Sequence, residues 1–333
     1  MNTETITVAG GGSWGTALAH LLALSGHRTH LWLRNATLAR EITQCHENRR
    51  YFPGVPLAEQ LVATTDTSVL GAKIIVSAIP CQQLRPWLSE HAQAFAPHVV
   101  VINAAKGIEQ GTLSLCSGIV RDVLAKSNPR YAVLSGPSFA ADVLRKQPTA
   151  VVLACTDERL GGELRELFTV PWFRCYGSSD VTGVEFGGAL KNIMAIAAGI
   201  CDGLGLGHNS RSALVTRALA EICRIGLACG ARKPTFMGLS GLGDLVLTCT
   251  GDLSRNRQVG LGLGKGEPLH EITARLGMVA EGVATTQAVH DLVARLGVEA
   301  PLTEAVFRIL YEGQSAEDEL RGLLARRVPD EDA

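Results

Sequence analysis

Lys191 is the residue whose setting most demands a chemical explanation. It lies within Gly187–Ala198, GGALKNIMAIAA, where its neighbours at helical spacing are almost all apolar. A helix apolar on all sides is buried, and a buried ammonium is costly unless it has a partner or a task. Burial also lowers a lysine's pKa toward neutrality, which equips it to give and take a proton. The bland alternative is a lysine that carries its charge to the surface along an apolar stem. Asn192, beside it, has an amide able to bond a ligand or to fix the lysine.

Near the start of the chain, Gly10-Gly11-Gly12-Ser13-Trp14-Gly15 follows the apolar run Thr5–Ala9 and opens a stretch of helical period, Ser13–Ser25. In that setting G-x-G-x-x-G reads as a dinucleotide-binding turn. Gly10 permits the tight turn, Gly12 lets the backbone approach a pyrophosphate, Gly15 lets helix and strand pack closely, and the helix N-terminus offers N–H groups. A structural glycine-rich turn is the rival reading. The second strand pattern ends at Leu33 and is followed by Arg34, where NAD-selective sites commonly carry a carboxylate for the ribose hydroxyls. An arginine there suits a 2′-phosphate and can stack on adenine. It favours NADP while leaving NAD open; otherwise it is a solvated strand-end arginine.

Two later strand patterns run into loops at the edge where such sheets bind ligands: Asn103-Ala104-Ala105-Lys106-Gly107 and Ser135-Gly136-Pro137-Ser138-Phe139-Ala140. Lys106 is either a ligand of substrate or cofactor or a surface lysine. Further on come Gly241-Leu242-Gly243-Asp244-Leu245, Thr248, and Ser254-Arg255-Asn256-Arg257. Ser254 is a good N-cap with Arg255 and Asn256 in the first turn, an arrangement suited to phosphate or equally to an ordinary capped surface helix.

The elements that must position these residues fall into two groups. Runs at Thr5–Ala9, Thr29–Leu33, Lys73–Ala78, His98–Asn103, Tyr131–Leu134 and Thr149–Ala154 read as buried strands, separated by amphipathic stretches such as Ser13–Ser25 and Thr112–Lys126. That alternation predicts an α/β, Rossmann-like, doubly wound parallel sheet. From about Asp180 the period turns helical, at Val184–Ile200, Ser212–Cys229, Arg255–Leu263, Thr285–Leu296 and Thr303–Leu310. The chain therefore divides into a dinucleotide-binding domain over 1–188 and an all-helical C-terminal, substrate-binding domain over 189–333.

Composition narrows the classes further. The 333 residues suit two domains, and 46% hydrophobic with 19% charged residues describes a globular chain. A net charge of −1 gives no global attraction to nucleic acid or to a membrane surface. No apolar run is expected to approach the ~20 residues of a membrane helix, and the start of the chain has no signal-peptide pattern. Nine scattered cysteines without a C-x-x-C pair read as free thiols in a reducing, cytoplasmic setting, with no cluster at metal-ligand spacing.

Together these segments resemble the bacterial NAD(P)-dependent glycerol-3-phosphate dehydrogenase family over Ile6 to Leu310. The matching motifs are GGGSWGTALA (Gly10–Ala19), AKG (Ala105–Gly107), SGPSFA (Ser135–Ala140), GGALKN (Gly187–Asn192), GLGDL (Gly241–Leu245), SRNR (Ser254–Arg257) and Glu281–Gly282. Gly11 departs from the family's usual Ala and should only loosen the turn. The resemblance implies reduction of dihydroxyacetone phosphate to sn-glycerol 3-phosphate by NADPH or NADH, feeding glycerophospholipid synthesis. It also implies cofactor contacts at Ser13, Trp14, Arg34, Tyr51, Lys106, Ala140, Arg255, Val279 and Glu281. Substrate contacts would be Lys106, Gly136, Ser138, Lys191, Asp244, Ser254, Arg255 and Asn256, with Lys191 as proton donor and acceptor. A β-hydroxyacid or 2-ketoacid reductase of the same plan is the alternative enzyme, and a non-catalytic dinucleotide sensor the alternative outside enzymes. Oligomeric state stays open, a homodimer included.

Overall fold

The run TITVA, rich in the β-branched residues that suit a pleated surface, forms β1 (Thr5–Ala9) with all but Thr5 buried. In the computed structural model, which describes residues 5–277 and 280–326, the chain continues through α1 (Ser13–Leu24), β2 (Arg28–Trp32), α2 (Ala36–Cys45), β3 (Val62–Thr64), β4 (Ile74–Ser77), α3 (Cys81–His91), β5 (Val100–Asn103), α4 (Cys116–Val123), β6 (Arg130–Ser135), α5 (Ala140–Leu144), β7 (Thr149–Ala154), α6 (Glu158–Leu167) and β8 (Phe173–Ser178). Thereafter it is helical: α7 (Val181–Gly203), α8 (Gly207–Ala228), α9 (Lys233–Phe236), a π-turn over Leu239–Gly243, α10 (Asp244–Thr250), α11 (Arg255–Gly264), α12 (Leu269–Leu276), α13 (Glu281–Leu296), α14 (Pro301–Tyr311) and α15 (Ala316–Leu324). The expected class, a Rossmann-like sheet followed by a helical part, is what the chain forms.

The strands make one sheet in the order β3-β2-β1-β4-β5-β6-β7-β8. Alternate residues feed the two faces, as the pleat requires: Ile6, Val8, Val76 and Ile102 join one buried cluster, and Ala9, Ile75 and Val101 the other. A third core surrounds α7, drawing in Ile222 from α8, Leu245 from α10 and Val289 from α13.

Several expectations need correction. The sheet has two strands more than the sequence reading gave. β3 is only three residues long, too short to show a period, and β8 reads FRCYGS, a half-exposed edge with no apolar run. The sheet is not wholly parallel either, because β6 and β7 pair antiparallel while β7 and β8 run parallel to each other. The helix expected over Thr112–Lys126 begins only at Cys116, since Leu113 sits at φ +58° and turns the chain before it. Finally, α7 is long and apolar enough to cross a bilayer, contrary to the expectation that no segment would be. Its most apolar window is entirely buried inside the fold.

α7 starts three residues before the expected Val184 because the Asp180 side chain caps it, accepting from the Gly183 N–H at 2.9 Å. The same carboxylate accepts from the Arg232 N–H at 2.9 Å and the Thr235 hydroxyl at 2.6 Å, which binds the start of α9 to the start of α7. Against α11, α7 crosses on glycines. A Cβ on Gly260 would lie 2.0 Å from the Ile196 carbonyl oxygen, and one on Gly199 would lie 2.1 Å from that of Arg257.

The crossing yields a test. In an ordinary helix interior Gly→Ala gains about 1 kcal/mol from propensity, whereas forcing a methyl group into a packed core costs about 1–3 kcal/mol. A carbonyl 2.0 Å away cannot yield without moving a helix, so the clash should win. Gly260→Ala is expected to lower the melting temperature; an unchanged or raised value would show that the close crossing is not obligatory.

Candidate active site

One carboxylate organises the polar interior. Asp244, the first residue of α10 and 1% exposed, accepts from the Lys191 ammonium on Oδ1 at 2.6 Å and from the Lys106 ammonium on Oδ2 at 2.5 Å. Lys191 also donates to the Thr248 hydroxyl at 2.7 Å. Thr248 stands one turn after Asp244 on α10 and donates back to its carbonyl at 2.6 Å. Lys106 follows β5 and reaches the Gly136 carbonyl beyond β6 at 3.5 Å. Gly136 also accepts from the Ser138 hydroxyl at 3.0 Å.

The charges are strongly interdependent. Burial lowers Lys191 to about 8, the Asp244 charge working against that shift and the Lys106 charge adding to it. Burial by itself would raise Asp244, but the two lysines together hold its carboxyl below the ordinary value. A lysine poised near 8 is matched to proton exchange close to neutral pH.

Beside the cluster, Asn256 of α11 donates to the Asn192 side-chain oxygen at 2.9 Å and accepts from the Gly282 N–H at 3.0 Å. Its amide is thus committed to joining α7, α11 and α13. Ser254 is buried as the N-cap of α11, accepting from the Arg257 N–H at 3.3 Å. Arg255, in the first turn, is half-buried and makes no hydrogen bond or ion pair among the described residues. Glu281, at the start of α13, is pushed up by burial against the opposing charges of Arg255, Lys106 and Lys191.

The glycine turn sits at the same edge of the sheet. Gly10 has φ +115°, a conformation side chains resist, and a Cβ there would come 2.9 Å from the Ala78 carbonyl oxygen. A Cβ on Gly15 would meet the Gly10 carbonyl oxygen at 1.8 Å, while one on Gly12 would meet nothing within 4 Å. Gly12 is also the N-cap of α1, without a side-chain bond. An open space above a helix start that no side chain caps fits a pyrophosphate.

Ser13 and Trp14 form the first turn of α1 and Ala140 begins α5. Tyr51 is half-buried with the Arg50 guanidinium 5.5 Å over its ring. Arg34 is exposed just past β2 and has no hydrogen bond or ion pair among the described residues. The sheet order sets β2 three places from β5, about 14 Å at the usual strand spacing. Arg34 therefore stands apart from the lysine cluster, at the far end of the same edge. Val279 lies outside the described residues. The sequence reading missed what Lys191, Lys106 and Asp244 make together, because nothing local pairs a carboxylate with lysines 53 and 138 positions away.

A glycine-turn sheet with a paired lysine at the ligand edge and a helical half packed beside it defines a two-part nicotinamide-dinucleotide dehydrogenase. The family model described as NAD-dependent glycerol-3-phosphate dehydrogenase N-terminus matches residues 5–161, and its C-terminus counterpart matches residues 180–321. The chain belongs to that family. It is 63% identical over 327 residues to the glycerol-3-phosphate dehydrogenase [NAD(P)+] of Desulfovibrio desulfuricans, covering 98% of each chain. It is 54% identical to the protein of that name from Nitratidesulfovibrio vulgaris over 98% of this chain and 99% of the relative. A solved glycerol-3-phosphate dehydrogenase from Coxiella burnetii superposes with a TM-score of 0.93 at 38% identity, covering 97% of this chain and 99% of that one.

The cluster also yields a test. Asp244→Asn keeps the shape but leaves the buried Lys191 ammonium and the half-buried Lys106 ammonium without a counter-charge, and breaking a buried pair costs about 3–5 kcal/mol. Lys191, already lowered to about 8, should then titrate lower still. A lysine depressed on folding binds fewer protons folded than unfolded, so the variant gains stability with pH over the interval between its new value and the old one. Urea unfolding should show a deficit that shrinks between about pH 6 and pH 8; a deficit independent of pH would mean that lost packing, not charge, is responsible.

Proposed function

We propose that this protein is an NAD(P)-dependent sn-glycerol-3-phosphate dehydrogenase that reversibly reduces dihydroxyacetone phosphate, with Lys191 as its acid–base residue. The observation that carries the reading is the buried Lys191–Asp244–Lys106 cluster at the carboxyl edge of a dinucleotide-binding sheet. Family membership decides against the hydroxyacid-reductase and sensor alternatives. Residues 1–188 serve the dinucleotide and 189–333 the substrate, with glycerophospholipid synthesis as the use of the product. Nine unpaired cysteines suit a cytoplasmic site of action.

A bound nicotinamide would supply hydride chemistry at the carbonyl carbon, and binding, orientation and proton transfer fall to the chain's own residues. Gly10, Gly12 and Gly15 keep the backbone clear for the pyrophosphate, with the Ser13 and Trp14 N–H groups facing it. Arg255 at the capped start of α11, a guanidinium with no hydrogen bond among the described residues and set beside helix N–H groups, holds the substrate phosphate; Ser254 and Asn256 hold that helix start in place. Lys106, anchored on Asp244 and Gly136, binds substrate at the cleft edge, with Ser138 beside it. Lys191, protonated, stabilises the oxygen on which charge develops and then protonates it; in the oxidative direction it takes the proton back. Asp244 keeps Lys191 charged despite burial, and Glu281 and Ala140 border the cofactor.

The direct test is NADPH absorbance decay with dihydroxyacetone phosphate, repeated with Lys191→Met. Because general acid and oxyanion stabilisation reside in one group, kcat should fall by on the order of 10³ while NADPH still binds. Wild-type reduction should also decline as pH rises through about 8, where Lys191 loses its proton, and the oxidative rate should rise over the same interval. A mutant retaining more than about a tenth of kcat would move the proton to another group.

Arg34 decides the cofactor. Losing charge-assisted bonds costs about 1.5–3 kcal/mol, roughly 10- to 150-fold in affinity. Arg34→Ala should weaken NADPH by that much and NADH far less, as fluorescence titration would report; equal weakening would remove Arg34 from 2′-phosphate recognition.

A further inference from the structure

One turn before Lys191, α7 carries two glycines in tandem, Gly187 and Gly188, well inside the helix. Glycine is a poor choice there, since it costs backbone entropy and offers no side chain to pack. What lies against each of them accounts for its presence.

Gly187 stands four positions before Lys191 and so on the same face of α7. A Cβ on Gly187 would lie 2.5 Å from the Ser240 carbonyl oxygen and 3.2 Å from its carbon. Ser240 belongs to the π-turn Leu239–Gly243, which runs directly into Asp244 at the start of α10. The turn is therefore seated on α7 by a backbone contact at Gly187, and one helical turn further on Asp244 is bonded to Lys191 at 2.6 Å. Behind the turn, the backbone of Phe236 on α9 leaves no room for a Cβ on Gly241. A turn held between two backbones moves as a body, so a displacement at Ser240 is passed on to Asp244.

Gly188, the next residue round the helix, meets a different partner. A Cβ there would lie 3.3 Å from Cγ of Lys106 and 2.9 Å from the hydroxyl oxygen of Ser135 at the end of β6. The stem of Lys106 thus passes close over α7 at Gly188 on its way to the other oxygen of Asp244. The obstacles here are side-chain atoms, which yield more readily than a backbone carbonyl.

We propose that Gly187 and Gly188 are positioning residues of the lysine cluster: Gly187 sets how closely Asp244 approaches Lys191, and Gly188 sets how Lys106 reaches across α7. The inference rests on the dehydrogenase reading, and the two fail differently. Wild-type protein inert toward dihydroxyacetone phosphate defeats the reading, whereas the proposal is judged by variants against an active wild type.

The two alanine variants should separate kcat from KM. In Gly187→Ala the π-turn has to retreat by about 1 Å to reach the 3.4 Å of an ordinary contact, and a misplacement of that size costs on the order of 10²-fold. The loss is expected in kcat, with KM and NADPH affinity close to wild type, because Lys191 is the group affected. The ionisable groups around Lys191 are Asp244 and Cys249 of α10, Lys106 after β5 and Glu281 of α13. Asp244 is the anion bonded to it, so drawing Asp244 away eases loss of the proton. The pH at which reduction falls off, about 8 in the wild type, should move down in Gly187→Ala. Gly188→Ala should instead raise KM for dihydroxyacetone phosphate by up to about tenfold, the displacement being smaller, with kcat close to wild type. Glycines that serve packing alone would change the melting temperature and leave these readouts in place. Where Gly187→Ala does not fold, Gly188→Ala decides the matter, since its neighbours are able to move. A Gly187→Ala enzyme with the wild-type pH profile, or a Gly188→Ala enzyme with wild-type KM, would overturn the proposal.

Discussion

A single buried carboxylate between two ammonium groups is the constraint on which this molecule turns. Desolvating each of those ions costs several kcal/mol, which only close, well-directed partners offset. Asp244 meets that condition with bonds of 2.5 and 2.6 Å. Those distances require three separate elements, α7, α10 and the loop after β5, to be held together tightly. The glycine crossing of α7 and α11 and the shared Asp180 cap of α7 and α9 bring that about. The π-turn serves the same end by delivering Asp244 at the first position of α10. Loosening any of them would leave a charge in the core without its counterpart.

The sheet distributes the remaining work along its length. Strands β1 to β6 are mutually parallel wherever they pair, so their carboxyl ends share one edge, and the glycine turn, Arg34, Lys106 and Gly136 all stand there. The reversal at β7 ends that edge. β7 and β8 point their carboxyl ends the other way and, with α6, buttress the last functional strand rather than extend the crevice. The shared carboxyl edge therefore runs from β6 toward the arginine end.

The parts of this design written into local sequence were legible. G-x-G-x-x-G announced its turn because each glycine answers a local contact, and Lys191 announced itself as a charge in an apolar helix. What stayed hidden was partnership over distance. Asp244 read as one residue of a substrate motif, and Thr248, one helical turn on, as no more than a neighbour; only the fold gives both of them to Lys191. Ser254 was legible as a cap, and it is one. Asn256, by contrast, looked free in a helix first turn and is instead bonded to Asn192 and Gly282. β8 escaped because an edge strand with a half-exposed face lacks the apolar run by which strands are recognised.

The passage from sheet to helices has a mechanical consequence. Between β8 and α7 there are only two residues, Ser179 and Asp180, and the latter is locked by three hydrogen bonds. The 23-residue helix that follows is buried along almost its whole length, with neighbours in both halves of the chain. A flexible linker would let the halves swing apart on random thermal bending; a helix gripped in this way transmits torque instead. The two halves are therefore coupled through the packing of α7 rather than through a free linker.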